Sequence, residues 1–312
     1  MFEPKVLAQI RSARRKFAAM AASYCMGVFN DSFFRQSAIW IALGGTAASL
    51  AEQDRMSGYI MTLFALPYLF FAAPAGWLAD RFSKHHIIIA AKGIELVAMV
   101  VGAVGIMLNS WPLILTMVLI MGWQSCIFSP ALNGTIPELY PQSYIPRANA
   151  ILRTIVTISI LGGVAASGLA VDYDKQDSPE VIQGIVETVP PMVDKETLQT
   201  DQASNGNPNE ITPAARRLVG IVVVAVALLG FATSFGVPRR DAADPDAPFP
   251  WKGPWYTIRE FWAIRKDYLL WITVLSTAYL WFVGSVVLLL LARLTKRQME
   301  RSTTEGSLVL AA

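Results

Sequence analysis

Cysteine and histidine are scarce in this sequence, which has only two of each among 312 residues. Two cysteines cannot build a disulfide framework. The histidines, His85 and His86, are adjacent, and we expect both to be solvated. So few imidazoles give almost no basis for a zinc site or a catalytic triad. We therefore predict no catalytic residues, no metal site and no cofactor.

Charge is also scarce, because only 16% of the residues are charged and 54% are hydrophobic. A soluble globular domain carries about 25% charged residues. The formal net charge of +3 is too small to indicate a nucleic-acid partner. A chain with so little surface charge for its apolar content is predicted to be an integral membrane protein.

Seven apolar stretches are long enough to cross a bilayer, since a helix needs about 20 apolar residues to do so. They cover residues 17–50, 57–78, 87–108, 112–132, 149–171, 218–237 and 268–291. One apolar stretch follows another from the beginning of the chain, which is not the pattern of a cleaved signal peptide. These lengths predict an all-α integral membrane fold.

The positive charges predict how the chain crosses the membrane. If the N-terminus is cytoplasmic, the inner segments hold 15 lysines and arginines, and the outer segments before the seventh span hold 5. Positive residues near span ends are retained in the cytoplasm. Four basic residues after the seventh span oppose the rule, but early spans usually dominate the orientation. We predict a cytoplasmic N-terminus.

The spans divide into three predicted units. Residues 1–237 form a six-helix bundle, 238–267 a cytoplasmic linker with a helix lying in the membrane interface, and 268–312 the start of a second bundle. Nine acids and two lysines make residues 172–215 an acidic outer insertion. This insertion is interpreted as a solvated flexible segment, with a lid over an outward cavity as the alternative. The apolar tail 306–312 predicts the opening of an eighth span, so we expect the chain to be part of something longer.

Ionisable residues inside the spans are the strongest functional signal, because a charge at the bilayer centre costs several kcal/mol. Asp31 and Glu95 lie near the middle of spans one and three, with Arg35 and Lys92 four and three residues away. One interpretation is two self-neutralising ion pairs, with Lys92 extending to the cytoplasm. The other is a zwitterion site in which Arg35 holds a phosphate, Asp31 or Glu95 holds an ammonium or a coupling cation, and Gln124 adds hydrogen bonds.

Several short stretches resemble known transporters. Residues 76–84, with Gly76, Asp80 and Arg81, resemble the signature loop of the major facilitator superfamily. Three further stretches resemble its lysophospholipid transporter branch: 30–35 in span one, 129–139 after span four and 148–150 at the start of span five. The first of these begins with Asn30, which we include in the candidate substrate or coupling site.

The resemblance implies a transporter of two six-helix halves that works by alternating access. Gly76 would let two helices approach closely at the cytoplasmic rim, and Asp80 and Arg81 would form a charge pair that changes contacts as the halves move. These three residues would form a conformational gate. The alternative is an ordinary positive loop on the cytoplasmic side.

The resemblance also implies a substrate. It indicates flipping of lysophospholipids across the bacterial inner membrane, with an acyltransferase as partner or as a fused domain. A charged head group needs a polar path, since burying it unpaired is prohibitive, whereas a single acyl chain can remain in lipid. Two alternatives stay open: the front of a fused acyltransferase/acyl-carrier-protein synthetase enzyme, and a general exporter of small charged solutes.

Overall fold

The computed structural model describes residues 4–43, 49–173, 211–239, 241–297 and 303–311. Within these ranges, every regular element is helical. The described residues form nine α-helices: α1 (Pro4–Leu43), α2 (Leu50–Arg81), α3 (Lys84–Met107), α4 (Trp111–Leu139), α5 (Ile145–Val171), α6 (Pro213–Ser234), α7 (Gly253–Ala263), α8 (Tyr268–Arg297) and α9 (Thr303–Ala311). The all-α membrane fold predicted from the apolar stretches is confirmed.

Six of the described helices are long and apolar enough to cross a membrane: α2, α3, α4, α5, α6 and α8. They coincide with the second to seventh predicted spans. The first predicted span, 17–50, is too long: α1 ends at Leu43, residues 44–48 lie outside the described residues, and Leu50 already begins α2. Helix α1 is 40 residues long but is not among these six. Its apolar run is interrupted at Asn30, Asp31 and Arg35.

Helices α1 to α6 pack on one another, with close pairs α1–α5, α3–α4, α2–α4 and α3–α6. Glycine allows two of these contacts, because it has no Cβ. A Cβ at Gly163 of α5 would lie 2.6 Å from the carbonyl oxygen of Phe29 in α1. A Cβ at Gly122 of α4 would overlap the carbonyl oxygen of Phe64 in α2. These short approaches bring the polar side chains of neighbouring helices within hydrogen-bonding distance.

The later helices make fewer contacts with this bundle. The predicted helix of the linker is present as α7, and its Trp255 and Trp262 are exposed. None of the most apolar segment of α8 is buried inside the structure. The tail that we expected to open an eighth span forms the nine-residue helix α9, which packs against α5. There Trp40 Nε1 donates a hydrogen bond to Ser307 Oγ at 2.8 Å.

Most of the acidic insertion at 172–215 lies outside the described residues. At its start, the Asp172 carboxylate accepts a hydrogen bond of 2.6 Å from the backbone N–H of Thr304. The division into a bundle, a linker and a second bundle stays a prediction.

Candidate functional site

A chain of polar side chains crosses the interior of the bundle from α3 through α4 to α1. Lys92 Nζ donates to Glu95 Oε2 at 2.7 Å, and Gln124 Nε2 donates to the same oxygen at 3.1 Å. Ser125 Oγ lies 3.0 Å from Gln124 Oε1 and 3.0 Å from Asp31 Oδ2. The structure therefore joins three predicted site residues, Asp31, Glu95 and Gln124, through one serine.

The Lys92–Glu95 ion pair is almost fully buried, with each residue 1% exposed. The ammonium lies 5.1 Å from the centre of the Phe128 ring. It fills space left by Gly27 of α1, where a Cβ would collide with it, and Gly230 of α6 is also close. The prediction that Lys92 extends to the cytoplasm is wrong, because Glu95, the aromatic face and this glycine hollow hold the ammonium inside.

The second expected ion pair, Asp31 with Arg35, is not formed. Asp31 Oδ2 accepts from Ser125, and its Oδ1 is buried with no hydrogen-bond partner among the described residues. The Arg35 guanidinium lies 4.9 Å above the ring of Phe64 in α2. Within the part of the chain that the structure describes, neither charge forms a salt bridge. Asp31 and Arg35 thus present opposite charges, one helical turn apart, with no ionic partner of their own.

Asn30 is oriented away from this chain of side chains. It is fully buried, and its Nδ2 donates to the backbone carbonyl of Val223 in α6 at 3.0 Å. Its Oδ1 has no hydrogen-bond partner among the described residues. Asn30 therefore fixes α1 against α6, next to the site.

Ser125 was missed by the sequence reasoning, although it bridges the two halves of the polar chain. A serine in an apolar helix usually bonds to its own backbone one turn earlier. Its only sequence signal is its position directly after Gln124.

The expected role of Gly76 as a close-contact residue is wrong for the described part of the chain. A Cβ built there would meet nothing within 4 Å. The Lys84 ammonium, one loop further on, forms a salt bridge with Glu138, which ties the start of α3 to the end of α4. Close contact at this rim is instead made at Gly134, where a Cβ would lie 2.8 Å from Lys84 Cε.

Asp80 and Arg81 contact the linker rather than each other. Arg81 Nη1 donates to the carbonyl of Ala247 at 2.7 Å, and Trp77 Nε1 donates to the same oxygen at 2.9 Å. The backbone carbonyl of Asp80 accepts from the N–H of Asp244 at 2.9 Å. Among the described residues, these three hydrogen bonds hold the segment after α6 to the C-terminal end of α2.

The prediction that both histidines are solvated is wrong for His85. His86 is exposed, but His85 is buried, with Nδ1 2.8 Å from the carbonyl oxygen of Val237. Its Nε2 lies 3.5 Å from Arg239 Nε. Adjacent residues on a helix face different directions, so one imidazole packs against the end of α6 and the other meets solvent.

The family profile described as Major Facilitator Superfamily matches residues 18–186, which is 169 of the 312 residues. The chain belongs to the major facilitator superfamily. The six membrane-length helices of the described residues agree with that assignment.

Similar curated proteins carry one name. "Lysophospholipid transporter LplT" of Salmonella newport (strain SL254) and of Salmonella heidelberg (strain SL476) is 30% identical over 135 residues, covering 42% of this chain. Because the match covers 32% of each relative, this chain spans about a third of their length.

Two solved structures of the POT family are similar to this chain, with TM-scores below 0.5. One is a POT family transporter in complex with a thioalcohol conjugated peptide, with a TM-score of 0.48 and 13% identity over 90% of this chain and 51% of that one. The other is an auto inhibited POT family peptide transporter, with a TM-score of 0.47 and 16% identity over 95% of this chain and 50% of that one.

In this member of the superfamily, the polar chain connects three helices of the matched region. Its members come from α1, α3 and α4, so any movement of α1 against α3 and α4 must break or rearrange hydrogen bonds in the bundle interior. Buried polar contacts of this kind have discrete arrangements.

Proposed function

We propose that this transporter moves lysophospholipids across the bacterial inner membrane by alternating access, with its N-terminus in the cytoplasm. The proposal is supported by the relatives named lysophospholipid transporter and by the charges inside the bundle. The distribution of lysines and arginines supports the orientation.

The arrangement of Asp31 and Arg35 carries the proposal. They lie four residues apart on α1, which is about 6 Å along a helix axis. Neither is neutralised by an ionic partner among the described residues, whereas Lys92 and Glu95 neutralise each other. A zwitterionic head group supplies both missing partners: its phosphate pairs with the guanidinium, and its ammonium pairs with the carboxylate.

The polar chain behind Asp31 gives the carboxylate a second function in this proposal. Ser125 has one proton, which it donates either to Asp31 Oδ2 or to Gln124 Oε1, and the Gln124 amide donates to Glu95. A change in the charge or position of Asp31 therefore redirects the serine proton and reaches the buried ion pair. Binding of a head-group ammonium would draw Asp31 away from Ser125. The rearrangement would loosen the contact between α1 and α4 and favour the movement of the halves.

We place the cytoplasmic gate at the end of α2, with Asp80 and Arg81 as its residues. Their hydrogen bonds to the linker would break and reform as the halves rock. Gly76 stays in this proposal as a neighbour of Trp77, not as a helix contact.

The test is transport in proteoliposomes. The protein, expressed from its complete reading frame, is expected to move fluorescently labelled lysophosphatidylethanolamine between leaflets, measured by extraction of the label with albumin. Asp31→Asn and Arg35→Gln should each lower the initial rate at least tenfold, because each leaves one head-group charge unpaired, a loss of about 1.5–3 kcal/mol.

Two variants remove the same charges elsewhere and serve as controls: Asp241→Asn in the linker and Arg55→Gln in α2, both exposed. They should transport at the wild-type rate. Unchanged transport by Asp31→Asn would eliminate Asp31 as a site residue. Movement of a small zwitterionic solute, with no movement of the lysolipid, would instead support the general exporter.

A further inference from the structure

A second feature of the bundle is a cavity of about 630 Å³ beside the first half of α1. Small-molecule sites commonly measure about 300–1,000 Å³. Its wall consists of α1 residues between Ile10 and Met26, of Tyr140 and Tyr144 in the connection after α4, and of Ile151 and Ile155 in α5. We call it the α1–α5 groove. None of the residues that line the groove belongs to the polar chain.

The groove changes from charged to apolar along its length. Arg11 and Arg14 lie at one end, one turn apart on α1, and both are exposed. Within the described residues, neither is joined to a carboxylate by a salt bridge. Beyond them, the wall is made of apolar side chains such as Phe17, Ala21 and Met26. A ligand that fits this profile has an anionic end and a long apolar end.

The apolar part of the groove has the length of one leaflet. From Arg14 to Met26 is 12 residues, or about 18 Å of helix at 1.5 Å per residue. One leaflet provides about 15 Å of hydrocarbon, half of a core about 30 Å thick. An acyl chain whose head group is held at Arg14 would therefore end near Met26.

Tyrosines at the charged end suit a lipid head group. The ring of Tyr140 meets Phe17 edge to face with centroids 5.4 Å apart, and Tyr144 lies 4.9 Å from it. Burial raises the pKa of the Tyr140 phenol, so the phenol remains a neutral O–H group at physiological pH. The guanidinium of Arg147 lies 5.9 Å from the Tyr144 ring and adds a third cation near this end. Tyrosines of this kind are typical of the membrane interface, where the apolar ring and the polar hydroxyl meet different surroundings.

We propose that the α1–α5 groove binds an anionic glycerophospholipid of the cytoplasmic leaflet. Arg11 and Arg14 would hold the phosphate end, and one acyl chain would lie against the apolar wall. The second acyl chain would remain in the bilayer. Cytoplasmic leaflets are rich in anionic lipid, and basic residues at the surface attract it. The leaflet rests on the cytoplasmic N-terminus proposed above, but the groove does not depend on the transported substrate, since it shares no residue with the Asp31 site.

The test compares dioleoylphosphatidylglycerol with dioleoylphosphatidylcholine on the 312-residue protein in detergent micelles, by native mass spectrometry. We expect a preference of about 25-fold for phosphatidylglycerol, since each basic residue near a membrane surface contributes about fivefold. Arg11→Gln/Arg14→Gln should abolish this preference. Ala22→Trp, which fills the groove without changing charge, should lower the binding of phosphatidylglycerol tenfold or more.

The matched control is Arg15→Gln/Lys16→Gln, which removes the same charge from exposed residues outside the groove wall. It should keep the preference. Equal binding of the two lipids by the wild type would overturn the proposal. An equal loss in both charge variants would overturn it too, because it would mean a general attraction to the basic N-terminal segment.

Cys25 provides a local reporter, since it lines the groove and Cys126 is buried. In a Cys126→Ser background, phosphatidylglycerol should slow the labelling of Cys25 by N-ethylmaleimide several-fold relative to phosphatidylcholine. Binding of phosphatidylglycerol with no change in the labelling rate would place the lipid elsewhere and overturn the proposal. Circular dichroism of each variant would verify that the helices are intact.

Discussion

Removal of one partner from the buried Lys92–Glu95 pair should destabilise the bundle strongly. Lys92→Met leaves the Glu95 carboxylate, which is 1% exposed, with only the amide of Gln124 as donor. Its Oε1 already has no partner among the described residues. An uncompensated buried charge of this kind costs about 3–5 kcal/mol. Glu95→Met should cost a similar amount, because it leaves the ammonium between Gly27 and Phe128 without an anion.

Replacing both partners should cost much less. Lys92→Met/Glu95→Met keeps the side-chain volume and removes both charges, and such replacements are often neutral or stabilising. The remaining loss is one hydrogen bond of the Gln124 amide, about 1–3 kcal/mol. A double-mutant cycle should therefore give a coupling energy of at least about 3 kcal/mol between positions 92 and 95.

The assay is reversible unfolding by sodium dodecyl sulfate in mixed micelles, followed by circular dichroism. The Asp54–Arg293 pair is the control, because its atoms are 3.3 Å apart and its side chains are 36% and 28% exposed. Arg293→Met should cost less than about 1 kcal/mol. If the double variant loses as much free energy of unfolding as the two single variants together, the two charges do not act as a unit. Single losses below about 1 kcal/mol would mean that water reaches the pair, which the argument from burial does not allow.

Three further predictions concern packing. Gly163→Leu should lower the free energy of unfolding by about 1–3 kcal/mol, because the new side chain meets the backbone of α1. Gly162→Leu, at the exposed neighbouring position, is the control and should have little effect in the same assay. Trp40→Phe removes the buried hydrogen bond to α9. The free energy of opening of α9, measured by amide hydrogen exchange, should therefore fall by about 1 kcal/mol, and unchanged exchange rates would contradict this. Arg81→Ala removes one bond that binds the linker to α2, so the Asp244 amide should exchange several times faster, and equal exchange rates would refute the contact.

The fold class could be predicted from the sequence because span formation depends on local properties. In a bilayer the backbone must satisfy its own hydrogen bonds, so an apolar run of sufficient length becomes a helix wherever it stands in the chain. Six predicted spans are confirmed as helices of membrane length for this reason. The linker helix at Gly253–Ala263 followed from its periodic apolar residues, which is also a local signal.

The candidate site could be predicted only in part. The depth of Asp31 and Glu95 in their spans pointed to the interior, and Gln124 was expected to add hydrogen bonds. Ser125 was not found, because its role depends on where α4 meets α1. Nor could the sequence show that His85 packs against the end of α6 while His86 remains exposed.

The pairing of charges shows where local information ends. Spacings of three and four residues place two side chains on one helical face, and by that rule Lys92–Glu95 and Asp31–Arg35 are equivalent candidates. Local sequence was enough to predict six helices of membrane length and the depth of each charge in its helix. The tertiary structure decided that the first pair forms, in a hollow left by glycines of α1 and α6, and that the second does not. A buried charge takes its partner from all the helices packed around it: Asp31 accepts a hydrogen bond from Ser125 of α4, and Arg35 lies over the ring of Phe64 in α2.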